Sequence, residues 1–458
     1  MLLLSTLLAC PAPCEGPGCD AVYSATTLSL HRGARSLPAR TEQQPLRGEL
    51  VLRGSEAQGQ SQVVILGQDL LLLGLPELAQ VRSHRLSELE DGALALQPHG
   101  LLQGPEGSRF GASMAAVPDL DGDGVAELWV GAPDLDPGEA LPEAGGAYLF
   151  PGLGEGFSGE PGLESATLRL AGEAPFDHLG ESLRSCGDLD GDGLAELAVV
   201  APWGELEAPM AGRLHLLLSS QQLQGEHPVG TLERSWSSPV EGAAVGRGLD
   251  CSQDLDGDGR VELLVGSPFH DAGAPGGGAI WQLPSSSGDI EEAEAAWFSE
   301  ESEAYLGWTL ASGDLDGDGL PELVAGAPGA KGGDGAVWIY DGSQRLQGSR
   351  TPQFRVEGRE GERLGRAVAV ADLDDDGLDD LIIGAPRHDP GEAFAAGALY
   401  IFRGRQDYEG WEREFSSEQA NGSLVQDQAF LRTGERFALG DTDTDGLPEL
   451  VLLLEVEP

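Results

Sequence analysis

Basic residues are scarce in this 458-residue chain: 27 Lys and Arg stand against 77 Asp and Glu, a formal net charge of −50. No Lys/Arg cluster offsets the excess, so nucleic acid and anionic membrane surfaces are excluded as partners. Catalytic signatures are missing too. There is no Gly-x-Ser-x-Gly, no His-Glu-x-x-His and no phosphate-binding glycine loop. The eight His are scattered without metal-ligand spacing. These absences argue against an enzyme and leave a binding module as the expected role. Cysteine is sparse as well, with five in all. Glycine and proline are plentiful, at 68 and 29, but apolar runs recur between them, so they punctuate strands rather than mark disorder.

What the chain does have is one acidic loop written six times. The first copy reads Asp119-Leu-Asp121-Gly-Asp123-Gly-Val125-Ala-Glu127. The second places Asp188, Asp190, Asp192, Leu194 and Glu196 at positions 1, 3, 5, 7 and 9, and the third Asp254, Asp256, Asp258, Arg260 and Glu262. The fourth has Asp314, Asp316, Asp318, Leu320 and Glu322, and the fifth Asp372, Asp374, Asp376, Leu378 and Asp380. The sixth has Asp441, Asp443, Asp445, Leu447 and Glu449. Hard oxygen donors at alternate positions, with glycine at position 6 to turn the chain, are what calcium coordination needs. Position 7 is expected to contribute only its backbone carbonyl, leaving its side chain free to vary. About six structural calcium ions follow from this reading.

An EF-hand would close with a bidentate Glu at position 12. Position 12 here is Val130, Val199, Val265, Ala325, Ile383 or Leu452, none of which can ligate. Each loop is followed by a short apolar run bounded by Gly and Pro, such as 128–133 or 381–386, which reads as a strand. Position 9 therefore closes the cage, which lies in a turn between two strands.

The loops recur after 69, 66, 60, 58 and 69 residues, a period that signals a solenoid or a propeller. Each period adds a glycine after an aromatic or aliphatic residue (Phe110-Gly111, Leu179-Gly180, Leu364-Gly365). After the loop comes Gly131-Ala-Pro133, Gly326-Ala-Pro328 or Gly384-Ala-Pro386. Strands such as 146–150, 336–340 and 398–402 bring the count to four per period, the signature of a propeller blade. The expected fold is all-β, a seven-bladed β-propeller. Residues 52–100 read as an eroded, metal-free blade, and 21–55 are expected to complete the last blade, so that 21–458 form one domain.

The ordered triplet of Phe-Gly, acidic cage and Gly-Ala-Pro resembles the FG-GAP repeat of the integrin alpha-subunit propeller and its bacterial relatives. The resemblance runs from about residue 45 to the end of the sequence. It implies a protein-binding or adhesion module whose ligand face lies opposite the cages, with Trp203, Phe269, His270, Arg387 and His388 as candidates. His270-Asp271 and His388-Asp389 also read as polar loops that bond their own turns. A carbohydrate-binding lectin or a polysaccharide-lyase-type propeller is the alternative. The protein or glycan ligand is unnamed by the sequence, and a monomer is expected.

The first nine residues read as a signal peptide. Leu7-Leu8-Ala9-Cys10 resembles a bacterial lipobox, which would lipidate Cys10 and make 10–20 a linker. Export follows, to an outer membrane or cell surface through that anchor, or to a periplasmic or secreted location without it. Removing Cys10 leaves an even four cysteines. Cys14 and Cys19 could pair locally. Cys186 and Cys251 precede successive cages and could form a bridge between blades or remain two buried thiols.

Overall fold

The structure is a computed structural model that describes residues 27–30, 49–54, 62–66, 70–85, 92–95, 98–120, 125–152, 159–204, 209–255, 257–283, 288–290, 293, 295–342, 351–389, 395–425, 432–440 and 447–455. The suspected signal, linker and Cys10, Cys14 and Cys19 lie outside them. So do Asp121, Asp123, Asp256, Asp441, Asp443 and Asp445. No helix among the described residues is long and apolar enough to cross a membrane.

Among the described residues the strands form seven sheets of four or five strands. The sheet of Leu249–Asp250, Leu263–Ser267, Ala279–Leu283 and Ala295–Phe298 sets the plan, with consecutive strands antiparallel. Six sheets carry an acidic loop between their first two strands, and the sheet of Gln62–Leu66, Leu70–Leu75, Gln80–Arg85 and Gly100–Gln103 carries none. The second strands, such as Glu127–Ala132 and Asp380–Ala385, are buried at every position. Sheets that cover one another on both faces demand such continuous apolar runs rather than alternation. Accordingly Trp129, Trp281 and Trp338 lie in the cores between sheets.

The two recurring glycines explain how one sheet is joined to the next. The Gly111 amide donates to the Gly131 carbonyl of its own sheet (2.9 Å), and Gly307 and Gly365 bond Gly326 and Gly384 likewise (3.1 and 3.0 Å). The same glycine's carbonyl abuts the preceding sheet. A Cβ on Gly326 would sit 2.1 Å from the Gly365 oxygen, and one on Gly266 would sit 1.9 Å from the Gly307 oxygen. Only a residue without a side chain allows this approach, and Gly365 itself sits at φ +84°. The uncaged sheet keeps the device, since a Cβ on Gly74 would meet the Gly111 oxygen at 2.2 Å.

First strands line a central channel. Gln62–Leu66 lies beside both Met114–Val117 and Phe437–Gly440. In the remaining sheet, Phe437–Gly440 and Glu449–Glu455 are antiparallel, while Glu49–Gly54 pairs parallel with Glu449–Glu455 and is followed by Thr27–Leu30 and Gly92–Ala95. The structure joins Cys186 to Cys251, with Cα atoms 4.9 Å apart. This disulfide ties two successive sheets just ahead of their acidic loops.

Candidate metal centres and the channel mouth

Each acidic loop is folded by its own carboxylates. The position-1 Asp accepts the amides of positions 4 and 6: Gly191 and Gly193 on Asp188 (2.6 and 2.8 Å), Gly317 and Gly319 on Asp314 (2.7 and 3.0 Å). The position-5 Asp accepts the position-7 amide, as in Leu194 on Asp192 (2.9 Å) and Leu320 on Asp318 (2.8 Å). The closing Glu reaches back to the position-2 amide, as in Leu120 on Glu127, Leu189 on Glu196 and Leu315 on Glu322 (2.9, 2.7 and 2.8 Å). That bond uses one carboxylate oxygen. The other oxygen of Glu196 and of Glu322 is buried without a hydrogen-bond partner.

These oxygens converge with their neighbours. One oxygen from each of Asp188, Asp190 and Glu196 lies within 4.8 Å of the others, and the same holds for Asp254, Asp258 and Glu262, for Asp314, Asp316 and Glu322, and for Asp372, Asp374 and Asp376. With no cation, burial and then crowding by Asp318 and Asp314 push Asp316 up to about 6. Burial, with Asp316 adding, pushes Glu322 up to about 8. An all-oxygen set with a buried, unsatisfied carboxylate fits a hard divalent ion such as calcium.

The fifth loop departs from this plan. Asp380 is one methylene shorter than Glu, and its Oδ1 accepts the Gly404 amide (3.0 Å). Its Oδ2 is buried without a partner, and burial followed by Asp374 and Asp376 raises it to about 7. Arg403 forms an ion pair with Asp374. Position 4 is Asp375 rather than glycine, at φ +64°.

Three of the position-7 side chains lie beside the preceding loop. A Cβ on Gly317 would meet Leu378 at 2.6 Å, one on Gly257 would meet Leu320 at 3.5 Å, and one on Gly191 would meet Arg260 at 3.6 Å. Arg260, Leu320 and Leu378 thus lie over position 4 of the preceding loop, so these four successive loops overlap. In the first, third and sixth loops the described candidate ligands are Asp119, Val125 and Glu127, then Asp254, Asp258, Arg260 and Glu262, then Leu447 with the backbone of Glu449.

Opposite the cages, the ligand-face candidates separate. His388 is buried and bonds Glu362 (2.7 Å), which also accepts from Tyr400 (2.9 Å) and Ser417 (3.2 Å). His270 is buried against Trp281, and its Nδ1 accepts the Ala272 amide (3.0 Å). Both are loop-bracing groups. Trp203 is half-buried and Arg387 exposed. Phe269 packs edge-on against Tyr305 and Trp308 (5.4 and 5.9 Å between ring centroids).

Trp308 was missed by sequence reasoning, as were its neighbours. It follows the recurring glycine of its repeat, and Glu181, Arg247, Arg366 and Glu435 occupy the same place in theirs. All line the channel, whose volume is about 700 Å³. The guanidinium carbons of Arg247 and Arg366 lie 4.8 and 4.5 Å from the Trp308 ring centroid. Comparing the residue after each such glycine would have picked them out. Nearby, Asp134, Glu143 and His178 also cluster, but Arg109 (3.4 Å) and His178 (3.0 Å) already pair with Asp134.

Strand, acidic loop, strand and paired glycines, repeated around a channel, define a β-propeller. The FG-GAP repeat matches four stretches of the chain, residues 110–150, 251–281, 306–340 and 364–402. The chain is similar to integrin alpha-4 of Xenopus laevis, 35% identical over 31% of this chain and 14% of that protein. It is 34% identical to human integrin alpha-IIb over 35% of this chain and 15% of that one. Human phosphatidylinositol-glycan-specific phospholipase D is 25% identical over 74% of this chain and 44% of its own. The chain spans less than half the length of each of these relatives.

Proposed function

We infer that this chain is an exported, calcium-braced propeller of seven blades, six of them metal-bearing, that acts as a protein-binding or adhesion module. The observation that carries the calcium assignment is the buried, partnerless oxygen of Glu196 and of Glu322, each converging with two aspartates. The pairing of Glu49–Gly54 with Glu449–Glu455 supports one closed ring over 21–458, with 21–55 entering the last blade and the uncaged sheet as the seventh blade. Similarity to integrin alpha subunits supports the binding role. Calcium is structural in this reading, the ligand face lies across the ring from it, and the module is a monomer without nucleic-acid partners.

Calcium titration of the purified protein tests the assignment. About six ions should bind, and Asp316→Ala should remove about one. Unchanged calcium content in that variant overturns the site. Anchoring through Cys10 is tested by the mass of the mature N-terminus with and without Cys10→Ser. The match to phosphatidylinositol-glycan-specific phospholipase D favours a second, glycan-directed reading, as a lectin or a lyase. Glycan-array binding with phospholipase and polysaccharide-cleavage assays separates the two, and cleavage would sink the binding-module reading.

A further inference from the structure

A chain of net charge −50 gathers arginines at one place, the mouth of its central channel. Arg247 and Arg366, on sheets either side of Trp308, both lie against its ring. Phe269 and Tyr305 hold that ring from the side, with centroids 5.9 and 6.3 Å from it, which fixes where the guanidinium groups sit. Arg363, Arg387 and Arg436 extend the group: Arg366 feels the charges of Arg247, Arg436 and Arg363, and Arg363 that of Arg387. Burial first, and then those three neighbours, push Arg366 down to about 10. The acids facing them are already engaged. Glu435 pairs with Arg366, and Glu181 lies 3.0 Å from Arg109 and 3.8 Å from Arg247. The side chains of Arg363 and Arg387 are exposed and make no hydrogen bond or ion pair among the described residues.

We propose that the channel mouth binds an isolated Asp or Glu side chain presented by a protein partner whose surface is otherwise neutral or basic. Planar guanidinium forks are suited to carboxylate, and those of Arg363 and Arg387, exposed and unpaired among the described residues beside the paired Arg247 and Arg366, are open to one. The chain's overall charge selects the bearer. A long polyanion would meet the field of the whole acidic protein, whereas a single carboxylate on a basic partner meets only the local positive mouth. This inference rests on the binding-module reading and supplies its partner chemistry.

The test uses the full calcium-loaded chain and the short peptide Gly-Lys-Glu-Lys-Gly, with its Gln counterpart as control, read by Trp fluorescence and calorimetry. The Glu peptide should bind at least about tenfold more tightly than the Gln peptide. Arg366→Gln should weaken it about tenfold, and the exposed Arg363→Gln severalfold. Binding should also weaken as salt rises. Equal binding of the two peptides, no binding, or affinity unchanged in both variants would overturn the proposal. Polygalacturonate binding at the same arginines in place of the peptide would overturn it in favour of an acidic saccharide. Melting of the same samples with and without calcium keeps the outcomes apart: calcium stabilisation without peptide binding removes this proposal and leaves the metal reading standing.

Discussion

The loops at 314–322 and 372–380 are neighbours of nearly the same sequence, yet they manage their charge differently. They are even bonded to each other, since the Asp314 amide donates to Asp379 and the Asp379 amide donates to the Asp314 carbonyl, both at 2.9 Å. In the fourth loop Glu322 is long enough to tie back to Leu315 and still aim a buried oxygen at Asp314 and Asp316. In the fifth, Asp380 falls short and bonds Gly404 instead, and Arg403 brings a positive charge to Asp374. One methylene decides whether the closing acid joins the cluster. The fourth loop has no ion pair of its own among the described residues, whereas the fifth carries part of its own counter-charge.

Removing calcium gives the largest expected effect. An ion held at about 100-fold above its Kd stabilises the native state by about 2.7 kcal/mol per site. A chelator should therefore lower the melting temperature strongly, with exchange protection lost first near 314–322 and later near 372–380. Equal loss at both loops would break the contrast. The pH dependence sharpens it. Glu322 at about 8 and Asp380 at about 7 hold protons in the calcium-free fold that the unfolded chain, at 4.5 and 3.8, releases. Stability of the calcium-free protein should fall as pH rises from about 4 to about 8, because the folded state binds more protons there. The increment added by calcium should grow over the same interval, measured as the difference between melting curves.

Single substitutions follow in decreasing order. Glu322→Gln should abolish one calcium in a stoichiometry measurement, while Asp380→Asn should only weaken one. Arg403→Ala should destabilise the chelated protein by about 2 kcal/mol by leaving Asp374 uncompensated, yet tighten calcium binding at that loop. A looser calcium site in that variant would show that Arg403 assists the ion rather than substitutes for it. Asp375→Gly should stabilise by up to ~1 kcal/mol in denaturant unfolding, because glycine accepts the positive φ that Gly317 supplies in the neighbouring loop.

The propeller was legible because its motifs are local: glycine pairs, acidic loops and apolar runs each fix a few residues, and their period marks the repeat. The acidic clusters were legible for the same reason, since positions 1, 3, 5 and 9 lie within one turn. What could not be read was contact between turns. The lean of Leu378 on Gly317 and the diversion of Asp380 to Gly404 depend on how adjacent sheets stack. Nothing in its own stretch of sequence sets Trp308 apart. Only the closed ring sets it between Arg247 and Arg366, which lie 61 and 58 residues away.

The strand at Glu49–Gly54 pairs along one edge with Glu449–Glu455, some 400 residues later. A contact so distant in sequence is slow to form and comes late. During synthesis the intervening blades must stack with one flank uncovered until that strand arrives. Joining of the first strands to the last sheet thus waits for residues 449–455, and an arrest in translation short of residue 449 would release an open arc in place of a ring.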